Sequence, residues 1–313
     1  MGRTDCQSPH EADRVLIALN PNAGRGSAAV RAGELAALLR QGGIVAEILG
    51  DLEAIGAATR EWHTAGRLRA LVAVGGDGTV AELLNRTGVG VPLALLPSGT
   101  ENLLARYLGI ERSPGKVAET ILAGGRLRLD AGRANGRLFL LMASCGPDSE
   151  VVRRLHARRR GPISHLTWAG PIAATLWRYD YPEIRLQGCS GAEAAELEGG
   201  GVPHSAQWFF AFNLPCYAGG FRVAPEADGT DGLLDYCALD CRGPLDVLRY
   251  AAAARTGRHL EMAGCQSGRL TRVRLESAEP IAYQLDGDLG GQLPLSIEVV
   301  PQRATLLVPN REP

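Results

Sequence analysis

The sequence predicts two domains of different class. The first is an α/β N-terminal domain with a parallel sheet flanked by helices, and the second a mainly antiparallel β-sandwich C-terminal domain. Three observations predict this. The chain of 313 residues has room for two domains of ordinary size. From residue 14 to 122, continuous apolar runs alternate with amphipathic helical segments, the pattern of parallel strands covered on both faces. Near residue 126 the pattern changes to strands joined mostly by turns, with Asn135-Gly136 as a strong hairpin signal between two of them. The expected domains are 13–127 and 128–309, with the C-terminal segment able to pack back on the first.

The elements follow in order. "RVLIALN" reads as a strand and "SAAVRAGELAALLRQGG" as a helix, with Ser27 near its N-cap and Gly42 or Gly43 beyond its end. "IVAEIL" is a second strand, "LEAIGAATREWHTAG" a second helix and "RALVAV" a third strand. A helix over Val80–Asn85 leads to the strand "PLALLP", then to helices in "ENLLARYLG" and "SPGKVAETILAGG". The last opens on a Ser–Pro pair suited to N-cap and N1. In the second half, "RLRLDAGRANGRLFLLMAS", "YPEIRLQ", "AQWFFAFNL", "GLLDYCAL", "RLTRVRLES", "PIAYQL" and "PLSIEVV" read as strands. Helical stretches around 148–179 and 244–260 interrupt them, and 188–205 reads as a long mobile hairpin loop.

Composition excludes several classes. The formal net charge of −1 argues against a nucleic-acid binder. No apolar run approaches the roughly 20 residues of a membrane span. The polar start "MGRTDCQSPHEADR" lacks a signal-peptide core, so a cytoplasmic location is expected. The seven cysteines are scattered without a CxxC pair, so neither a zinc site nor a disulfide framework is indicated. The P-loop is absent because the only lysine, Lys116, lies in "SPGKVAET". No HExxH, G-x-S-x-G, Rossmann fingerprint or protein-kinase set is present.

Three loops share one placement. "NPNAGRGS" (20–27), "GGDGT" (75–79) and "PSGTEN" (97–102) each follow an apolar strand and precede a helix. Strand C-terminal ends share one edge of a parallel sheet, so the loops converge there. Their glycine N–H groups, hydroxyls and amides form a phosphate cradle. The acid Asp77 inside the second loop is out of place against bare phosphate; its bland reading is an Asx turn.

These motifs, in order and spacing, resemble those of the diacylglycerol kinase catalytic-domain family, which includes bacterial soluble lipid kinases, sphingosine kinases and ceramide kinases. The resemblance rests on "NPNAGRG", "GGDGTVAELLN" and "LLPSGTENLLARYLGI", then "CGPDSEVV", "YAGGFRVAPEADGTDGLLDY" and "YQLDGD", over roughly residues 14–309. It implies ATP at the first domain's strand ends, a lipid headgroup entering the cleft between domains, and a β-rich domain for the lipid substrate. It implies, too, that Asp77 acts through Mg²⁺ or fixes the loop by hydrogen bonds. Nucleotide contacts are then expected from Asn20, Pro21, Gly24, Gly75, Gly76, Asp77, Gly78, Thr79, Ser98, Gly99, Thr100 and Asn102. For the hydroxyls and amides, helix N-capping is an equally available role. The resemblance also implies a Mg²⁺ held by the Asp231 carboxylate and the carbonyls of Asp228 and Leu233.

The base for a lipid hydroxyl is expected in "YQLDGDLGG", from Asp286 and Asp288. The family's usual motif here is Asp-Gly-Glu, so Asp288 stands one methylene short, a loss of about 1.5 Å in reach. Flanking glycines Gly287, Gly290 and Gly291 are expected to leave this backbone free to move. Gly50 is a second departure, where many members carry a nucleotide-contacting threonine. Five arginines (Arg153, Arg154, Arg158, Arg159, Arg160) precede an apolar segment with Trp168 and Trp177. They read either as a patch for anionic headgroups at the inner membrane surface or as a solvated helix face. The expected function is an ATP- and Mg²⁺-dependent lipid kinase acting on diacylglycerol or a long-chain base. The alternatives are an NAD-kinase-like small-metabolite kinase and a non-catalytic lipid or nucleotide binder. The acceptor's identity and the oligomeric state are not legible.

Overall fold

The structure, a computed structural model, describes residues 12–19, 27–158, 165–188 and 204–310. The chain divides into two compact units, Met1–Leu129 with Arg303–Pro313, and Asp130–Gln302.

In the first unit strands and helices alternate: β1 (Arg14–Leu19), α1 (Ser27–Gln41), β2 (Val45–Leu49), α2 (Leu52–Thr64), β3 (Leu68–Gly75), α3 (Asp77–Arg86), β4 (Pro92–Pro97), α4 (Leu103–Tyr107) and α5 (Pro114–Ala123). The sheet runs β2-β1-β3-β4, all parallel. The end of the last strand, β16 (Leu295–Leu307), joins β4 in parallel at Thr305 and Leu306. Val15, Ile17, Val72, Val74, Ala94 and Leu96 form a buried core with Ala32, Leu35 and Leu39 of α1 and Ile121 of α5. Each such Leu, Ile or Val contributes about 1.5–3 kcal/mol by leaving water. Helix starts follow local chemistry. Asp51 caps α2 by accepting from Ala54 N at 2.8 Å, and Ser113 with Pro114 opens α5.

Two helices depart from the sequence reading. α3 starts at Asp77 rather than Val80, so GGDGT ends β3 with Gly75, caps α3 with Gly76 and opens its first turn with Asp77, Gly78 and Thr79. α4 has only five residues, because Asn102 before it is left-handed at φ 49°.

In the second unit follow β5 (Arg126–Ala134, crossing from the first), β6 (Arg137–Phe139), β7 (Met142–Cys145), α6 (Pro147–Arg158), α7 (His165–Arg178), β8 (Ile184–Gly188), β9 (Ser205–Ala206), β10 (Trp208–Phe212), β11 (Leu234–Leu239), α8 (Pro244–Ala254), β12 (Cys265–Leu270), β13 (Arg272–Glu276), β14 (Ala282–Leu285) and β15 (Asp288–Gln292). One antiparallel sheet runs β12-β11-β10-β7-β14-β15. A second antiparallel set pairs the first half of β16 with β13, then β8 and β9. Alternate residues of both sets meet in one core: Cys145, Phe209, Tyr236 and Leu285 from one, Leu186, Val273, Leu275 and Ile297 from the other. This is the expected sandwich. The run "RLTRVRLES" breaks at Thr271, sending β12 and β13 to different sheets. Most of the expected 188–205 loop lies outside the described residues.

Candidate active site

In the first unit, Leu19 at the end of β1 pairs with Val74, and Gly75 at the end of β3 pairs with Pro97 at the end of β4. The three strand-end loops therefore leave from neighbouring positions on one edge. Asn20, Pro21 and Gly24 lie outside the described residues.

The other two loops are bound to each other. Ser98 N donates to the Gly75 carbonyl at 2.9 Å. A Cβ placed on Gly99 would stand 2.7 Å from the Gly76 Cα, so only glycine permits this backbone approach. Asn102 closes the second loop on itself, its Oδ1 accepting from Gly99 N at 2.9 Å and its Nδ2 donating to the Gly99 carbonyl at 2.7 Å. Arg112 donates to the carbonyls of Gly99 and Thr100 at 3.2 and 3.4 Å. Gly78 and Thr79 belong to the first turn of α3, where Thr79 N donates to the Gly76 carbonyl at 3.0 Å.

Asp77 joins the two loops directly. Its Oδ2 accepts from Leu103 N at 2.9 Å and its Oδ1 from Leu104 N at 3.0 Å. Of the two roles the sequence allowed, this is the loop-fixing one: the acid of one loop caps the short helix that follows the other. Burial raises the proton affinity of this carboxyl, and the two N–H groups oppose that. Beside these ties the Ser98 Oγ is buried and makes no hydrogen bond among the described residues. A buried hydroxyl of this kind is free to bond a water, an ion or a ligand.

In the second unit, Asp286 and Gly287 form a two-residue hairpin turn between β14 and β15, with φ of 51° and 88°. Positive φ at both central positions is the pattern that Asp-Gly serves. The Asp286 carboxylate faces inward and is taken up by backbone. Oδ2 accepts from Leu140 N at 2.8 Å, and Oδ1 from Leu141 N at 2.8 Å and Met142 N at 3.0 Å. Asp286, expected at the chemistry, is placed by these bonds as a brace of the bend between β6 and β7. Asp288, the first residue of β15, is exposed, and its carboxylate makes no hydrogen bond or ion pair among the described residues. Of the flanking glycines, Gly287 stands in open space while Gly290 and Gly291 are packed. The Tyr283 ring lies over Gly290 and Gly291, and a Cβ at Gly290 would stand 2.2 Å from it.

The acidic turn before β11 is held by its own side chains. Asp228 Oδ1 accepts from Thr230 N and Oγ1 at 3.0 and 2.8 Å, and Asp231 Oδ1 accepts from Leu233 N at 2.9 Å. Sequence reasoning missed its anchor. Asp130, an acid inside β5, accepts from Gly232 N at 2.7 Å and Gln302 N at 2.6 Å. The fully buried Asn213 donates to the carbonyls of Asp130 and Leu140 at 2.9 and 2.8 Å. Two buried oxygens here have no partner, Asn213 Oδ1 and Asp235 Oδ2. Among the described residues no three His, Cys, Asp or Glu side chains cluster as metal ligands. The Asp231 carboxylate and the carbonyls of Asp228 and Leu233 are oxygen donors, the kind a hard divalent cation accepts.

Asp148 on α6 is a second missed hub. It accepts from Ser144 Oγ at 2.6 Å, Trp208 Nε1 at 2.8 Å and Tyr217 Oη at 3.0 Å, and also from Gln284 Nε2. The arginine cluster is only partly described. Arg153 and Arg154 both bind Glu150 at 2.6 Å, so they serve α6 itself. Despite burial, these two arginines hold the Glu150 carboxyl below its ordinary range. The Arg158 side chain, Arg159 and Arg160 lie outside the described residues.

Comparison with known proteins follows this division. Residues 14–134 match the diacylglycerol kinase catalytic domain, and residues 142–308 the YegS C-terminal NAD kinase beta sandwich-like domain. A diacylglycerol kinase of Mycobacterium tuberculosis is 31% identical, over 96% of this chain and 97% of its own. A diacylglycerol kinase of Bacillus subtilis is 29% identical, over 72% of each chain. A crystal structure of a diacylglycerol kinase from Bacillus anthracis shares the fold, with a TM-score of 0.65 and 18% identity over 95% of this chain and 97% of that one. The chain belongs to the diacylglycerol kinase family and is a lipid kinase.

Proposed function

We propose that the protein moves the γ-phosphate of ATP onto the free hydroxyl of a lipid such as diacylglycerol or a long-chain base. The observation that carries this reading is the clip between two strand-end loops, made by Asp77 and the Gly76–Gly99 approach, beside the unpartnered Ser98 hydroxyl. Gly75, Gly76, Gly78, Thr79, Ser98, Gly99, Thr100 and Asn102 are the residues of these loops that we assign to the nucleotide, together with Asn20, Pro21 and Gly24. Phosphoryl transfer asks for positioning and charge stabilisation more than for covalent chemistry, and a prebuilt loop pair supplies positioning.

Asp288 is the group we assign to the acceptor. Its exposed carboxylate takes the hydroxyl proton as that oxygen attacks the γ-phosphorus and the bond to ADP breaks. Asp286 acts through backbone, by fixing the hairpin on which Asp288 stands. The acidic turn fits Mg²⁺, to be held by Asp231 and the carbonyls of Asp228 and Leu233. When bound there, the ion supplies positive charge that fixes the turn. No helix among the described residues is long and apolar enough to cross a membrane. We place the enzyme in the cytoplasm with peripheral contact to the membrane that holds its acceptor.

Gly99→Ala tests the loop pair. The added methyl forces the two loops apart, at about 1–3 kcal/mol for overpacking. ATP affinity, measured by titration calorimetry, should fall about tenfold or more. Unchanged affinity would remove this loop from the nucleotide site. The acceptor is tested by offering γ-labelled ATP with diacylglycerol vesicles or with NAD⁺, because the second unit's match is to an NAD kinase-like sandwich. Label should enter only the lipid; label in NAD⁺ would make this a small-metabolite kinase.

A further inference from the structure

Large apolar side chains are exposed together on two neighbouring helices of the second unit. On α7 Trp177 is 80% exposed and Ile172 44%; on α8 Leu245 is 79% exposed and Leu248 53%. The helices pack on each other. Helical periodicity puts positions 245, 248, 249, 252 and 255 on one side of α8. Arg249, Ala252 and the C-cap Arg255, like the leucines, are exposed there, the Arg255 guanidinium also lying over the Phe221 ring at 5.7 Å.

The charge on this face has one sign. Among its described side chains α7 carries no acid, and its last residue, Arg178, is exposed. The single acid of α8, Asp246, accepts from Arg242 N at 2.9 Å and is turned to the helix start. Among the described residues, the exposed acids nearest in sequence to these helices lie beyond their ends, at Asp180, Glu183, Asp240 and Glu261. A second copy of the chain meeting this face through a two-fold axis would set arginines against arginines. An anionic lipid surface satisfies both halves of the pattern, with leucines and tryptophan entering the acyl boundary and arginines meeting phosphates.

We infer that the exposed side of α8, with Leu245, Leu248, Arg249 and Arg255, together with Trp177 at the end of α7, docks the protein on an anionic bilayer. This adds a surface to the arginines before α7, of which Arg153 and Arg154 bind Glu150 and the Arg158 side chain, Arg159 and Arg160 lie outside the described residues. It rests on the lipid-kinase reading only in that such an enzyme must reach an acceptor embedded in lipid.

The test is sedimentation with vesicles of phosphatidylglycerol and phosphatidylcholine. Leu245→Glu with Leu248→Glu should cut the bound fraction at least tenfold at unchanged melting temperature, and Trp177→Ala should weaken it with no added charge. Arg249→Gln and Arg255→Gln should each weaken binding about fivefold on the anionic vesicles and leave pure phosphatidylcholine binding unaltered. Phosphorylation of bilayer diacylglycerol should fall in the leucine variant, while that of a short-chain, water-dissolved diacylglycerol should persist. Undiminished sedimentation of the leucine variant would overturn the docking face. So would a wild-type protein that ignores vesicles, or a variant altered only in oligomeric state. Failure of the kinase reading would show separately, as a wild type that sediments with vesicles but phosphorylates neither acceptor.

Discussion

Asp288→Asn is expected to lower kcat by about 10²–10⁴-fold, the usual contribution of a positioned general base. ATP affinity and melting temperature should stay at wild-type values. The reason is local. Asp288 opens β15 with its carboxylate exposed and unengaged, so an amide of the same shape removes basicity and disturbs no contact. Asp288→Glu should keep transfer, because it lengthens the arm by one methylene and retains the carboxylate. A variant Asp288→Asn with full turnover would make this acid a bystander.

Asp286 should behave in the opposite way. Asp286→Ala strands the N–H groups of Leu140, Leu141 and Met142, each of which loses its carboxylate acceptor. An unsatisfied donor costs about 1–3 kcal/mol, so the loss should be on the order of 3 kcal/mol or more in urea unfolding. Asp286→Asn keeps one acceptor oxygen and sets an N–H₂ against a donor, so its loss should be smaller. Activity should fall in step with the fraction folded. Wild-type stability with abolished turnover would return Asp286 to the chemistry.

The contrast between these two acids shows what the sequence held. Strand and helix periods made the α/β half legible, and Ser113-Pro114 and Asn135-Gly136 marked a helix start and a hairpin. Asp286-Gly287 carried the same hairpin signal. Read as a turn, it separates an acid inside the turn from an acid on the following strand, although both had been expected at the chemistry. The partners of Asp77 were not legible, because Leu103 and Leu104 reach it only through the fold. Asp130 and Asn213 were hidden for the same reason: their partners, Gly232, Gln302 and Leu140, are far off in sequence. The acidic turn was visible as composition, but its anchor was not. Short local rules found the loops, while the long-range hydrogen bonds that fix them needed the structure.

The measurement that reaches the central claim most directly is transfer from γ-labelled ATP to a total lipid extract in the presence of Mg²⁺. The product is identified, and wild type is compared with Asp288→Asn and Gly99→Ala. The account predicts label in a chloroform-soluble lipid, esterified at its free hydroxyl. Transfer should be nearly abolished in Asp288→Asn at intact ATP binding, and in Gly99→Ala weakened through lost ATP binding. Label that stays in ATP and inorganic phosphate with every lipid, or equal transfer by the Asp288→Asn protein, would contradict it.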